Sequence, residues 1–436
     1  KDKQYHKELY ENGASYSLVS TMKSYPGNVK VRMRALEAMM HMSATTKDNR
    51  DQLIDAGVVD ILRQGMDDNN TAEYQYLILG VFRGLSIDET SPLTLQSLNA
   101  NIFDLLIRSR SEEKLQVYGW GSLYQLTKKH DQNIDTFREM GICEELTNAL
   151  AVHSGSCIVC EQCLLVVKNF IRNKASQDAL VNAGICELIV KTMEKFPSED
   201  EKVCFNGSMV LAVISSDDAC NGEALREARA CEASVHAVEY IIAYNYTNTK
   251  VIRSIIQAVS WIWNTKENQK CMIDNGLCSI IVSIIDRYNN KDDVLHLLLD
   301  WMTNLTFERE IAEKLAAEMK WELFVKILQI FPTDHMIQET GCATISNFCH
   351  NVASTRVILG DAGACEAMII PLITHPHSDR IVENTLRAIY HLSSEVRQNQ
   401  ERFRTLNVRD TIQRVIDTQK QSKSVAEWGA ACLAYL

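Results

Sequence analysis

Apolar residues recur along the chain with the spacing of amphipathic helices. Long segments such as residues 31–43 and 337–349 place apolar side chains three or four positions apart, which is the period of a helix with one buried face. Shorter apolar segments precede these long ones. No segment gives a convincing strand pattern. The sequence therefore predicts an all-α protein.

A short motif recurs at regular intervals: Ala-Gly, a small or apolar residue, Cys-Glu and an apolar run. It is clearest in residues 182–197 and 361–376, and successive copies lie 40 to 47 residues apart. Glycine and asparagine tolerate a left-handed backbone, so most anchors predict a sharp turn between helices. Arg229 and Lys320 predict turns of another shape or turns under strain. The anchor positions are Gly13, Gly57, Asn101, Gly141, Gly184, Arg229, Gly276, Lys320, Gly363 and Asn407.

Two further landmarks keep the same period. An asparagine eight residues before the anchor predicts the N-cap of the helix that leads into the turn; the examples are Asn49, Asn133, Asn221, Asn268 and Asn399. A proline 12 or 13 residues after the anchor predicts the end of a second helix; the examples are Pro26, Pro197, Pro332 and Pro376. The chain is therefore predicted to hold about ten repeats of roughly 44 residues, each made of three helices.

This repeat resembles the armadillo repeat. Residues 347–372, NFCHNVASTRVILGDAGACEAMIIPL, carry nearly the whole motif. The resemblance covers residues 1–436 and implies a single right-handed α-α superhelix, an armadillo-type solenoid whose last repeat is truncated. The first residue is not Met and the repeat pattern is still running at residue 436, so we expect a fragment of a longer chain.

The resemblance also implies a binding surface. In armadillo proteins that this chain resembles, an asparagine near the end of each third helix binds the backbone of an extended peptide in a concave groove. As exposed amides, these side chains are expected to contribute to binding rather than to stability. Gly84, Val213 and Trp261 depart from the pattern at this register, and Trp261 is kept as a candidate aromatic anchor of the groove. The predicted peptide-groove residues are His41, Gln125, Asn169, Trp261, Asn304, Asn347 and His391.

Composition and the placement of the cysteines limit the kinds of ligand that the chain is expected to bind. The net charge of −11 without a basic block argues against a nucleic-acid partner, and no apolar run is long enough for a transmembrane segment. Five of the 14 cysteines (Cys143, Cys186, Cys231, Cys278 and Cys365) share one repeat position, which predicts small buried side chains with reduced thiols. The cluster CIVCEQC at residues 157–163 lacks a fourth ligand at a usual spacing, so we expect no metal and no cofactor.

No catalytic motif is present, so we expect no enzymatic activity in this segment. The favoured hypothesis is an intracellular, cytoplasmic scaffold or adaptor that binds a protein or an extended peptide, as part of a large complex. One alternative is a regulatory armadillo module of a larger enzyme or signalling protein. Another is a structural component of a cytoskeletal or ciliary complex.

Overall fold

The computed structural model of the chain describes residues 2–67, 71–88, 94–196, 201–216, 225, 227–243, 249–263 and 265–436. The chain divides into two compact units, Lys1–Ala233 and Ser234–Leu436. Every regular element of the described residues is a helix, so the predicted all-α class is confirmed. One continuous solenoid over residues 1–436 stays a prediction.

The first unit repeats a three-helix plan, with repeats numbered 1 to 5. The third helix of each repeat packs against the third helix of the next, so the third helices form one layer of this unit. In chain order the helices are Asp2–Glu11, Ala14–Ser24 and Val29–Ser43; Lys47–Asp55, Val58–Asp67 and Ala72–Leu85; the 3-10 turn Gln96–Leu98, Asn99–Arg108 and Glu113–Thr127; Asp131–Glu139, Ile142–Val152 and Cys157–Phe170; and Lys174–Asn182, Ile185–Lys195 and Glu201–Ser216.

The second unit follows the same plan in repeats 6 to 10, and its third helices again pack in order. The second helix of repeat 9 is broken at Met368, because Pro371 has no N–H to donate to the carbonyl of Ala367. The helices are Ala230–Ala243, in which the unit boundary falls, and Thr249–Ile262; Lys266–Asp274, Leu277–Tyr288 and Asp292–Leu305; Arg309–Glu318, Trp321–Ile330 and His335–Asn351; Thr355–Asp361, Ala364–Ala367 with Ile369–Thr374, and Asp379–Ser393; and Arg397–Thr405, Val408–Thr418 and Lys423–Tyr435.

The predicted turns are confirmed at most anchors. All six anchor glycines have φ between +64° and +90°, and Asn407 has φ +51°. Arg229 also adopts φ +57°, so this turn is the strained one, whereas Lys320 at φ −88° has another shape. The prediction for Asn101 is wrong, because this residue lies inside the Asn99–Arg108 helix, which follows a 3-10 turn.

The asparagines eight residues before the anchors are not N-caps, which corrects the sequence prediction. Those of the described residues lie third in their helices, and the residue three positions earlier is the N-cap. They are at most 1% exposed, and three of them donate to last-turn carbonyls of the preceding third helix, which have no partner within that helix. The bonds run from Nδ2 of Asn133 to Leu126 O (2.8 Å), of Asn268 to Ile262 O (2.8 Å) and of Asn399 to Leu392 O (2.9 Å). Asn221 lies outside the described residues.

The proline landmarks mark helix ends as predicted. Second helices end at Ser24, Ile330 and Thr374, each two residues before a proline. Pro197 lies outside the described residues, although the preceding helix ends at Lys195. The bend between second and third helices is thus set locally by residues that cannot continue a helix.

The cysteines of the repeat motif are buried side chains, as predicted. Cys143, Cys186, Cys231, Cys278 and Cys365 are at most 3% exposed. In the cluster of residues 157–163, Cys160 and Cys163 are buried in the third helix of repeat 4. Burial raises the pKa of the Cys160 thiol to about 11, so this thiol is neutral and packs as an apolar group.

Among the described residues, one bent pair of helices has the length and composition of a membrane-spanning segment. No single helix there is long and apolar enough to cross a bilayer. The Thr355–Asp361 and Ala364–Thr374 helices, bent by 77° from one another, meet the length and composition criteria only when taken together.

Candidate binding surface on the third helices

The predicted peptide-groove residues differ in how far they reach solvent. His41 and Asn304 are exposed and Gln125 is half-buried, whereas His391 is largely buried. Asn169 and Asn347 are only 6% exposed, so the expectation of an exposed amide is wrong for these two. The side chain of Trp261 lies outside the described residues. The peptide-binding role of all seven residues stays a prediction.

Asn169 in unit 1 links the third helices of repeats 3 and 4. Its Nδ2 donates to Tyr124 O at 3.0 Å and to Thr127 Oγ1 at 2.9 Å. The acceptors lie in the last turn of the preceding third helix, where carbonyls lack partners within the helix. Both amide hydrogens are therefore used inside the unit.

Asn347 repeats this arrangement in unit 2. Its Nδ2 donates to Thr303 O at 3.1 Å and to Thr306 Oγ1 at 3.3 Å, both in the preceding repeat. Four residues later, Asn351 Nδ2 donates to Thr306 O at 2.7 Å. At this register an asparagine thus fastens adjacent third helices, and any contact with a bound peptide is left to its carbonyl oxygen.

Asn304 occupies the same register with different surroundings. Its Nδ2 donates to Asp300 O of its own helix at 3.1 Å, and its side chain is exposed. Its second amide hydrogen and its side-chain carbonyl oxygen have no partner among the described residues. Together they are one donor and one acceptor, which is what a peptide unit requires. Of the three predicted asparagines, Asn304 best fits the predicted role.

A cluster of aromatic and polar side chains lies on the third helices of unit 1. We call Tyr76, Arg83, Tyr118 and Gln162 the Tyr118 cluster. The hydroxyls of Tyr76 and Tyr118 are hydrogen-bonded at 3.1 Å. The guanidinium of Arg83 lies 5.6 Å from the ring centre of Tyr118, and its Nη2 donates to Gln162 Oε1 at 3.5 Å. The hydrogen bond to Tyr76, followed by burial, raises the pKa of Tyr118.

A second pair of the same kind follows along the layer. The ammonium of Lys168, in repeat 4, lies 5.2 Å from the ring centre of Phe205 in repeat 5. Both side chains are half-buried. Cation–π contacts of this sort hold a long flexible cation in place at a surface without neutralising its charge.

Unit 2 carries an aromatic and imidazole cluster on its own third helices. We call His350, Arg387, Tyr390, His391 and Trp428 the His391 cluster. The two imidazoles have ring centres 4.9 Å apart, and the Arg387 guanidinium lies 5.6 Å from the Trp428 ring. Burial, followed by the positive charges of its neighbours, lowers the pKa of His391 to about 4. This imidazole is therefore neutral near pH 7.

Carboxylates accompany the cations of unit 2 further along the layer. His296 Nε2 lies 2.8 Å from Asp334 Oδ2, and Arg380 Nη1 lies 3.4 Å from Glu339 Oε1. Burial would raise the pKa of Asp334, but hydrogen bonds from Ile337 N and His296 outweigh it, and the pKa is lowered. The third-helix layer of unit 2 is thus mixed in charge.

Sequence reasoning missed Tyr76, Arg83 and Trp428. Tyr76 and Tyr118 are 42 residues apart, close to the repeat period, and this spacing was an available signal. Arg83 and Gln162 are 79 residues apart and come from repeats 2 and 4, which no helical period brings together.

Within the part of the chain that the structure describes, no group of three His, Cys, Asp or Glu side chains could hold a metal ion.

Comparisons with known proteins identify the fold. No family model matches the chain. The Rap1 GTPase-GDP dissociation stimulators 1-B and 1-A of Xenopus laevis are 23% and 22% identical over 248 residues, which is 55% of this chain. The match takes in 32% of their length, so it spans about a third of these curated relatives.

Two solved structures resemble the chain over nearly its full length. An engineered protein has a TM-score of 0.73 at 17% identity, covering 97% of this chain and 98% of that one. A chain from a study of the phosphorylation switch controlling the interaction between cadherin and beta-catenin has a TM-score of 0.58 at 14% identity, covering 99% and 97%. The three-helix repeats are of the armadillo type, as the sequence motif predicts.

Proposed function

We propose that this chain is a non-enzymatic scaffold or adaptor that binds an extended segment of a partner protein along its third helices. The observation that carries the proposal is the chemistry of that layer. Arg83 and Lys168 in unit 1 and Arg387 in unit 2 are cations held against aromatic rings at the surface. Aromatic residues and arginine are the side chains that dominate protein interfaces.

The architecture supports an extended ligand rather than a compact one. Third helices of successive repeats pack side by side in each unit, and packed helices lie about 8 to 10 Å apart. An extended segment advances about 3.3 Å per residue. Each repeat therefore meets about three residues of such a segment, and polar side chains at a repeated register can contact it at regular intervals.

Cross-linking of the native protein tests this proposal. Lysine-reactive cross-linking followed by mass spectrometry should join one partner to Lys128 and Lys168, which lie at the third helices of unit 1. Lys191 and Lys326 are internal controls, since they belong to second helices. Cross-links to the controls, without links to the third-helix lysines, would place the partner on another surface and contradict the proposal.

A second candidate is a regulatory module that acts on a small GTPase. It is supported by the 248-residue match to two GDP dissociation stimulators of Rap1. The test is the release of a fluorescent GDP analogue from purified Rap1 in the presence of this chain. Faster release supports the regulatory candidate, and an unchanged rate at saturating chain concentration removes it.

An intracellular, cytoplasmic location belongs to the same proposal, with a cytoskeletal or ciliary assembly as one setting. The free thiols of Cys143, Cys186, Cys278 and Cys365 support it, because reducing compartments keep thiols unpaired. Fractionation of the native protein tests the location directly.

A further inference from the structure

In the Tyr118 cluster, two side chains pack over a glycine. Arg83 of repeat 2 and Gln162 of repeat 4 meet above Gly121 of repeat 3. A Cβ at position 121 would lie 2.8 Å from Arg83 Cζ and 2.9 Å from Gln162 Oε1, closer than real Cβ atoms approach such groups. The absence of a side chain at Gly121 is thus what lets three successive third helices contribute to one surface patch, which we call the Gly121 patch.

The polar groups of the Gly121 patch are mainly donors. The Arg83 guanidinium has five N–H groups, of which one reaches Gln162 Oε1. That bond occupies the amide oxygen of Gln162, a side chain only 8% exposed, and leaves its Nε2 as the outward group. The Tyr76 and Tyr118 hydroxyls share one hydrogen bond, so the second hydroxyl hydrogen is still able to donate.

The positive charge of the Gly121 patch is not paired with a carboxylate. Among the residues that the structure describes, neither Arg83 nor Lys168, six residues after Gln162 on the same helix, forms an ion pair; each rests on an aromatic ring instead. The chain as a whole carries a net charge of −11. A donor-rich patch with an unpaired guanidinium is complementary to a carboxylate, which accepts charge-assisted hydrogen bonds from arginine.

We propose that the Gly121 patch, together with the Lys168–Phe205 pair, is the docking site for an acidic segment of a partner protein, with a Glu or Asp carboxylate of that segment bound by Arg83. The inference rests on the proposed scaffold function and adds the chemistry of the partner. Gln162 and the tyrosine hydroxyls position Arg83 and contribute donors, and Phe205 offers an apolar contact beside Lys168.

Peptide binding tests this inference on the full 436-residue chain. The probes are two fluorescein-labelled peptides of 12 residues, one of Glu, Gly and Tyr and one with Lys at every Glu position. Twelve extended residues cover about 40 Å, or about four repeats. Fluorescence anisotropy should show the acidic peptide binding at least about ten-fold tighter than the basic one, with a preference that falls as salt is added.

Three variants locate the site. Arg83→Gln should weaken the acidic peptide about ten-fold, since one charge-assisted contact is lost, and Gly121→Ala should weaken it similarly by displacing Arg83 and Gln162. Arg83→Lys keeps the charge and should retain most of the preference. The matched control is Arg63→Gln, on the second helix of the same repeat, which should leave affinity within about two-fold. Circular dichroism and thermal melting verify that each variant is folded.

Two results would overturn the inference: equal affinity for the two peptides, or an effect of Arg83→Gln no larger than that of Arg63→Gln. The cross-linking experiment separates this failure from failure of the scaffold proposal. A partner that cross-links to the third helices but ignores Arg83→Gln leaves the scaffold function standing and removes only the acidic docking site. A partner on another surface removes both.

Discussion

The third-helix layers of the two units are built alike and differ in surface chemistry. Asn169 in unit 1 and Asn347 in unit 2 make the same pair of bonds, to a carbonyl and a threonine hydroxyl of the preceding third helix. In unit 1 the surface cations Arg83 and Lys168 rest on rings. In unit 2, Arg387 also rests on a ring, that of Trp428, but His296 and Arg380 lie beside carboxylates. Unit 1 has ion pairs of its own, Arg34 with Glu37 and Lys202 with Glu161, so the difference lies in the patch around Arg83 and Lys168.

This comparison separates the side chains that stabilise the repeat from the side chains that can distinguish one partner from another. Buried amides that bond the end of the preceding helix recur in both units because every third helix has unpaired last-turn carbonyls. The outward positions are under no such constraint, so each unit can present its own charge and aromatic pattern. Recognition should therefore follow the outward side chains, and stability the buried amides.

The largest effect is expected from removing the buried amides. Asn169→Ala and Asn347→Ala should each lower the free energy of unfolding by about 1 to 3 kcal/mol, because buried carbonyls and hydroxyls lose their donors. Urea denaturation followed by circular dichroism measures the loss. A double-mutant cycle of Asn347→Ala with Thr306→Val should show coupling. Variants as stable as the wild type would mean that the shared bonds do not hold the layers together.

The next largest effect is a dependence of stability on pH that arises from His391 in unit 2. The pKa of His391 is lowered to about 4 in the folded chain, below the ordinary histidine value of about 6.5. Between these values the unfolded chain binds more protons, so stability rises with pH through this window and is constant above it. We expect a loss on the order of 1 to 2 kcal/mol between pH 7.5 and pH 4.5, allowing for partial solvent access.

Variants assign this loss to one residue. His391→Leu should flatten the profile between pH 7.5 and pH 4.5, whereas replacing the exposed His41, which has the same register in unit 1, should leave it intact. The carboxyl of Asp334 titrates lower: its pKa is lowered, so its contribution is present above about pH 3.8 and is lost below. A pH profile unaffected by His391→Leu would contradict the assignment.

A smaller effect compares one tyrosine pair in each unit. Tyr118 has a raised pKa chiefly because of its hydrogen bond with Tyr76, and Tyr390 chiefly because of its bond with Tyr435. Tyr76→Phe should lower the pKa of Tyr118 without moving that of Tyr390, at a cost of about 0.5 to 1.5 kcal/mol in stability. Tyr435→Phe should do the reverse for Tyr390. NMR titration of labelled tyrosines reads both sites at once, and movement of both by one variant would contradict independent pairs.

The sequence predicted the period, the helical class and most turns, because these depend on local rules. Gly57 or Gly184 marks a turn through its own backbone freedom, and Pro332 ends a helix through its own ring. The role of Asn399 could not be predicted in the same way. The N-cap position and the position that bonds the preceding helix are only three residues apart in the sequence. Which of the two roles an asparagine takes depends on the direction of its side chain in the folded chain.

The candidate surface was predicted only in part, for a related reason. The register that contains Asn169, Asn304 and Asn347 was found from the repeat, but their exposure depends on how closely the neighbouring helix approaches. The Arg83–Gln162 contact needs Gly121 between them, which requires the packing of three helices. Contacts that cross two repeats are set by tertiary structure rather than by any period in the sequence.

The smallest effect on stability is expected at Asn304, and it decides whether unit 2 takes part in peptide recognition. Its side chain is exposed and bonds only Asp300 O of its own helix, so Asn304→Ala should change the free energy of unfolding by less than about 0.5 kcal/mol. The 12-residue acidic peptide spans about four repeats, fewer than the five that separate Arg83 in repeat 2 from Asn304 in repeat 7, so the probe here is the partner identified by cross-linking. A folded Asn304→Ala variant should bind that partner a few-fold more weakly, because an amide that pairs with a peptide unit is lost. Biolayer interferometry measures this, with Asn12→Ala as the control, since the exposed Asn12 makes the same kind of bond within its own segment, to Glu8 O. If partner affinity is unchanged by Asn304→Ala while Arg83→Gln weakens it, recognition belongs to unit 1 and Asn304 has no part in it.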